Sequence, residues 1–222
     1  MNTLTQISIL LKKDIQLELR NRSAFFSLIL YLVGTVFICY LSFHLKTTSI
    51  SSITWNTLFW IIMLFISINA IGKSFTSESR SRQYYYYFAC FPLAYVFSKM
   101  IFNCLIMLLL SFTTYFFMSG VLNVQVGSTA IFLLNILLGA IGFSSTLTLV
   151  AAIAAKSDNT ILMAILSFPV IIPMLLILIR ISGAAIDGLA FSVIWNDILV
   201  LVAINIIVIA VTYLLFPYLW RA

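Results

Sequence analysis

The sequence predicts an all-α polytopic membrane protein, with six transmembrane helices preceded by an amphipathic interfacial helix, in a single domain over residues 1–222. Hydrophobic residues make up 63% of the chain and charged residues only 8%, whereas charged residues are about 25% of a soluble globular domain. The apolar residues fall into six runs, each near the length of about 20 residues that a transmembrane helix needs. The net charge of +6 does not indicate nucleic-acid binding, because the basic residues are few and flank the apolar runs.

Residues 1–22 predict an amphipathic helix that lies on the membrane surface. Apolar residues recur at helical spacing, and basic and polar residues fall on the other side. The apolar positions are Leu4, Ile7, Leu11, Ile15 and Leu19, and the polar ones are Lys12, Lys13, Gln16 and Arg20. Because basic residues outnumber the two acids, Asp14 and Glu18, we expect this helix to lie on an anionic cytoplasmic leaflet.

Six predicted spans follow the amphipathic helix. Their approximate ranges are 24–45, 53–72, 100–118, 129–155, 160–181 and 196–219. The fourth is rich in glycine, alanine and serine, which let helix backbones approach closely, so we expect it to lie inside the bundle. The segment 182–195 is less apolar, and we predict that it forms a short surface or re-entrant helix.

The fifth span carries two prolines, Pro169 and Pro173, spaced by about one helical turn. Each proline lacks a backbone N–H and clashes with the preceding turn, so the helix is expected to bend or break near mid-membrane. A functional hinge and a static kink absorbed by packing are both open interpretations.

The distribution of basic residues predicts that both termini are cytoplasmic. With six spans the termini lie on one side of the membrane, and ten lysines and arginines lie on that side against two on the other. Cytoplasmic segments carry the excess of positive charge in membrane proteins. The ten are Lys12, Lys13, Arg20, Arg22, Lys73, Arg80, Arg82, Lys99, Lys156 and Arg221, and the two are Lys46 and Arg180.

The longest polar interruption, residues 73–99, is predicted to be a cytoplasmic loop that couples to a partner. Serines and a threonine precede Glu78, an arrangement typical of a helix N-terminus with an acid in its first turn. Glu78 and Arg82 are spaced i and i+4, and together with Arg80 they form a charged turn for a protein partner. A solvated loop behind an aromatic belt of Tyr84–Tyr87, with no partner, is the alternative.

Three functional classes are disfavoured by the residues that the predicted spans contain. No Asp, Glu, Lys or Arg lies at mid-depth in a predicted span, whereas ion-coupled carriers use buried ionisable groups. The segment 72–74 matches the end of a phosphate-binding loop, but Ser67 stands where that loop needs a glycine, so the chain is not expected to hydrolyse ATP. An ordinary interfacial role for His44 is favoured over haem ligation, and no cofactor or metal site is predicted.

Three stretches carry a family resemblance. They are Leu17-Glu18-Leu19-Arg20 in the amphipathic start, Phe75 and Glu78 followed by Phe91-Pro92-Leu93 and Ser98-Lys99 in the loop, and Phe168-Pro169-Val170-Ile171-Ile172-Pro173 in the fifth span. With the length and the six-span layout, they resemble the haem exporter protein B (CcmB) family over nearly the whole chain. One departure is Ser81-Arg82-Gln83-Tyr84, where many relatives have Gly-x-Leu-Glu, and it affects the detail of the expected ATPase contact.

The resemblance implies a permease subunit of an ABC-type complex for c-type cytochrome maturation in the bacterial cytoplasmic (inner) membrane. It implies a separate CcmA-like ATPase subunit and CcmC-, CcmD- and CcmE-like maturation proteins as partners, with haem as a transported or handled ligand. Glu78, Arg80 and Arg82 are then the expected ATPase-coupling residues, and Pro169 and Pro173 the expected hinge. An ABC export permease for a lipid, polysaccharide or drug, and a non-transporting membrane scaffold, are the alternatives.

Overall fold

The computed structural model describes residues 3–20, 22–44, 50–76, 86, 88–122, 124, 126–156 and 160–221 of the 222-residue chain. Seven long helices account for most of these residues, and no strand occurs among them. In chain order they are α1 (Thr3–Arg20), α2 (Arg22–His44), α3 (Ser52–Thr76), α4 (Pro92–Leu122), α5 (Thr129–Lys156), α6 (Thr160–Ile186) and α7 (Phe191–Arg221). Helices α2 to α7 are each long and apolar enough to cross a membrane, so the predicted all-α fold with six spans is confirmed.

The loop that we predict over residues 73–99 is shorter at both ends. Helix α3 continues to Thr76, and α4 begins at Pro92. Proline suits the first position of a helix, because its fixed φ is helical and its missing N–H has no partner there in any case. Lys99 is therefore a helical residue two turns inside α4.

The surface or re-entrant helix predicted for residues 182–195 is wrong. Helix α6 continues to Ile186, and α7 begins at Phe191 after a tight turn. Gly188 has a φ of 71°, a left-handed conformation that glycine adopts without strain after a helix C-terminus. The backbone N–H of Leu189 donates to the Ala184 carbonyl at 3.0 Å and closes the turn.

Helix α5 is the central element of the bundle, as its small residues predict. It packs against α3, α4, α6 and α7, and 17 of its 28 residues are buried. A Cβ atom added at Gly139 would lie 3.0 Å from the Trp60 ring on α3 and 3.2 Å from Leu178 on α6. The glycine therefore sets how closely α3 and α6 approach α5.

The two ends of the bundle differ in what they bring together. At one end, called here the terminal end, α1 packs on α4, and Tyr95 of α4 contacts Trp220 near the C-terminus with ring centroids 5.0 Å apart. At the other, called the far end, the turn between α6 and α7 meets the α4–α5 connection, where the Gly127 N–H donates to the Ile186 carbonyl at 3.1 Å. Helix α6 runs unbroken between these ends although it contains Pro169 and Pro173.

Candidate functional site

The residues predicted to couple to an ATPase, Glu78, Arg80 and Arg82, lie outside the described residues. The chain is described again at Tyr86 and from Phe88 onwards. The candidate site therefore consists of the residues that immediately follow this segment and the side chains against which they pack.

A buried ion pair joins α1 to α4 at the terminal end. The Lys99 ammonium lies 3.3 Å from Oδ1 of Asp14, and the two residues are 4% and 5% exposed. Removing a charge from water has a high free-energy cost. The buried lysine and the buried aspartate are tolerated here because they face one another. The pair fixes the position of α1 on the bundle.

Lys13 extends this ion pair to the segment before α4. Its Nζ lies 3.0 Å from Oδ1 of Asp14, donates to the Tyr86 hydroxyl at 3.0 Å and stands 4.6 Å from the Tyr86 ring centroid. Tyr86 is only 8% exposed. This member of the predicted aromatic belt is therefore buried against a lysine of α1.

Two acids one turn apart, Asp14 and Glu18, turn the polar side of α1 towards the bundle. Burial raises the pKa of the Glu18 carboxyl above its ordinary value; the nearby Lys99 charge lowers this pKa and the Asp14 charge raises it further. Oδ2 of Asp14 is buried, and no described group donates a hydrogen bond to it. The acids of α1 thus face protein, while the basic Lys12 and Arg20 are exposed.

Further contacts tie the residues just before α4 to both chain ends. The Phe91 N–H donates to the side-chain carbonyl of Gln6 on α1 at 3.1 Å. Tyr86 and Tyr95 have ring centroids 5.6 Å apart, and Tyr95 contacts Trp220 of α7. We call Lys13, Asp14, Glu18, Tyr86, Tyr95 and Lys99 the α1–α4 junction.

The predicted hinge residues are not part of this junction. Pro169 and Pro173 lie on α6, which packs on α3, α5 and α7, and both prolines are exposed. Among the described residues no group of three or more His, Cys, Asp or Glu side chains is placed to hold a metal ion. The role that the junction can have is mechanical: it joins α1 and α4, and through an aromatic contact also α7, to the chain segment that enters α4.

Comparison with protein families matches residues 5–219 to the family described as CcmB protein. Comparisons with curated proteins and with solved structures give no match. The matched range contains the α1–α4 junction, five of the six candidate spans and all but the last residue of the sixth. The chain therefore belongs to the CcmB family, the membrane permease component of ABC-type haem export systems.

Proposed function

We propose that this chain, as a single permease domain over residues 1–222, transmits ATP hydrolysis by a separate CcmA-like subunit to haem handling in c-type cytochrome maturation. The handled step is haem transfer or the release of a haem-loaded CcmE-like chaperone. One observation carries the proposal: the α1–α4 junction holds Tyr86, which directly follows the segment 77–85 in the chain and precedes α4. A force on that segment therefore acts on α1, α4 and α7 together.

The chemistry of the junction suits a transmitting element. A loop held only by exposed contacts would absorb a push, whereas separating Asp14 from Lys99 would leave buried charges without compensation. The rings of Tyr86, Tyr95 and Trp220 fill the space beside the ion pair. Motion of the loop is thus transmitted to the helices more easily than it is absorbed within the loop.

The source of energy is expected to be external. Apart from Lys99 at the terminal end, the buried side chains of the six candidate spans for which we describe hydrogen bonds are neutral, such as Asn103, which donates to Thr148 at 2.8 Å. Such groups do not titrate and cannot follow an ion gradient. We therefore expect ATP hydrolysis by the partner subunit, on a cytoplasmic terminal end, to drive the complex, with CcmC- and CcmD-like proteins as further membrane partners.

Glu78, Arg80 and Arg82 are the proposed contact with the ATPase subunit. A glutamate is ionised at neutral pH and accepts two hydrogen bonds from one arginine. If Glu78 is desolvated in the interface, its loss should weaken binding by about 2–5 kcal/mol, enough to separate the subunits. The two arginines would complement acids of the partner in the same turn.

The test is to replace Glu78 with Ala and with Arg in the assembled complex. We expect both variants to lose the ATPase subunit on purification in mild detergent and to lose haem-stained c-type cytochromes in cells. Asp187→Ala is the matched control, because Asp187 is an exposed acid at the far end. Normal capture of the ATPase and normal cytochromes in both Glu78 variants would contradict the proposed contact.

A further inference from the structure

Two asparagines bind the far half of α6 to its neighbours. Asn56 of α3 donates through Nδ2 to the Ile179 carbonyl at 2.8 Å, and Asn135 of α5 donates through Nδ2 to the Leu178 carbonyl at 2.9 Å. Asn56 is 3% exposed and Asn135 is fully buried. Both hydrogen bonds cross between helices and end on consecutive carbonyls of α6.

Ser182 closes this arrangement into a network. Its hydroxyl lies 2.6 Å from Oδ1 of Asn56, to which it can donate, and it accepts from the Trp60 indole N–H at 2.7 Å. Ser182 is fully buried. We call Asn56, Trp60, Asn135 and Ser182 the polar anchor, because together they join α3, α5 and the far half of α6.

The far end of α6 is held by two more sets of contacts. The N–H of Ser128 donates to the Ala185 carbonyl at 2.8 Å, next to the bond from Gly127 to Ile186. Arg180 pairs with Asp197 of α7 at 3.3 Å. Residues 178–186 are thus bound to α3, α5, α7 and the α4–α5 connection.

The half of α6 nearer the terminal end has no comparable bonding. Between Leu162 and Pro173 the one hydrogen bond of a described side chain runs from Ser167 to the Met163 carbonyl of the same helix, at 2.6 Å. The side chains of Ile165, Phe168, Pro169, Val170, Ile172 and Pro173 are exposed. Since the two prolines donate no backbone hydrogen bond, this half also has the weaker helix ladder at its junction with the far half.

We propose that Asn56, Trp60, Asn135 and Ser182 are positioning residues that hold the far half of α6 still, while the half from Leu162 to Pro173 swings about the two prolines. The inference rests on the proposed function, because ATP hydrolysis by the partner supplies the motion. It adds a location for that motion: the bundle opens along α6 towards the terminal end, and the far end stays closed. Moving the far half instead would leave the donors of several buried side chains without acceptors.

Two cysteine pairs between α3 and α6 test the proposal. The pair Gly72→Cys and Met163→Cys joins the half nearer the terminal end, where a Cβ at Gly72 would lie 2.9 Å from the Met163 sulfur. The pair Asn56→Cys and Ser182→Cys replaces a hydrogen bond of the polar anchor with a disulfide. Both are made in a background in which Cys39, Cys90 and Cys104 are replaced by alanine, and ATP turnover is measured in the purified complex with its ATPase subunit.

The two pairs are expected to behave in opposite ways. Oxidation of the 72–163 pair should abolish ATP turnover, and reduction should restore it. Oxidation of the 56–182 pair should leave turnover intact, and reduction should lower it, because the anchor is then broken. A network that moved during turnover would instead lose turnover when it is cross-linked. Each single-cysteine variant is the control for oxidation alone.

Full turnover with the 72–163 pair oxidised, or loss of turnover with the 56–182 pair oxidised, would overturn the proposal. Failure of the cysteine-free chain to capture an ATPase subunit at all would instead contradict the proposed function. A second variant, Pro169→Ala with Pro173→Ala, should reach the membrane in normal amount but mature fewer c-type cytochromes. Normal haem staining of cytochromes in this variant would show that the prolines are packing residues and would also overturn the inference.

Discussion

In the α1–α4 junction the helices are joined by charged side chains, whereas in the polar anchor they are joined by amides, an indole and a hydroxyl. The α1–α4 junction pairs Asp14 with Lys99 and Lys13, and the polar anchor contains only neutral groups. Burying a neutral group in a bundle costs less desolvation free energy than burying a charge. Losing one contact should therefore cost more stability in the junction than in the anchor. The junction depends on one buried carboxylate, which faces two lysines, and the anchor distributes its hold over several weaker bonds.

The difference suits the two roles that we propose. An element that transmits force should resist separation at one point, and a charge left alone in a buried site resists it strongly. An element that stays still benefits from redundancy, because losing one neutral hydrogen bond leaves the others in place. Three substitutions would break or sharpen this comparison.

The largest effect is expected for Asp14→Asn in the junction. The change removes the charge that Lys99 faces at 3.3 Å, and breaking a buried ion pair costs about 3–5 kcal/mol. Thermal unfolding of the purified protein in mild detergent should show a large fall in midpoint. The double variant Asp14→Leu with Lys99→Met should regain much of this loss, because neither member of the most deeply buried ion pair is left as an unpaired charge.

Lys12→Met is the matched control for Asp14→Asn, since Lys12 is the exposed lysine beside the junction. Its effect should stay within about 0.5 kcal/mol, as is usual for surface changes. Equal midpoints for Asp14→Asn and Lys12→Met would mean that the ion pair contributes no more than a surface contact.

A smaller effect is expected for Asn56→Leu in the polar anchor. The variant loses the bond to the Ile179 carbonyl, but the Ser182 hydroxyl also lies 2.7 Å from the Leu178 carbonyl and can donate there instead. Hydrogen bonds between membrane helices contribute about 0.6–1.7 kcal/mol each, so the unfolding midpoint should fall modestly. Asn69→Leu is the control, because Asn69 is exposed and donates to Phe65 of its own helix; a loss as large as that of Asp14→Asn would erase the contrast between the clusters.

The smallest effect is expected for Glu18→Gln, and it should depend on pH. Burial raises the pKa of Glu18, so the folded protein holds this proton more tightly than the unfolded chain does. The stability from this group is present below the ordinary pKa of 4.5 and is lost as pH rises through the folded value. Glu18→Gln should therefore unfold at a slightly higher temperature than the native protein at about pH 8, and the gain should vanish below pH 4.5. A gain that is independent of pH would show that the Glu18 charge is not its cause.

The six spans were predictable because hydropathy reports directly on the membrane, but the junction was not. Lys99 stands at the edge of an apolar run, and a charge there indicates the end of the loop that precedes it. Its partner Asp14 lies 85 positions away, on a helix whose strongest pattern is an apolar stripe. Pro92 was the one local signal, since a proline at the first helical position places Lys99 two turns inside α4.

The polar anchor was hidden for a different reason. The segment that contains Ser182 has a lower hydropathy because of Gly183, Asp187 and Gly188. This pattern predicts a separate surface or re-entrant helix. In the fold the same residues end α6 with a turn, and Ser182 belongs to the buried face. Single-sequence patterns locate helices, but which carbonyl an asparagine reaches depends on how neighbouring helices pack.

The 85 positions between Asp14 and Lys99 also order events during synthesis. A chain grows at about 5–20 residues per second, so Asp14 is added about 4–17 seconds before Lys99. During that interval the Asp14 carboxylate has no buried lysine to face, and α1 must wait at the membrane surface. Its exposed Leu4 and Leu19 and its outward Lys12 and Arg20 are suited to that wait, because they hold a helix on an anionic leaflet. The amphipathic pattern of α1 thus suits a position on the membrane surface during assembly, and its acidic side suits its contact with α4 in the finished protein.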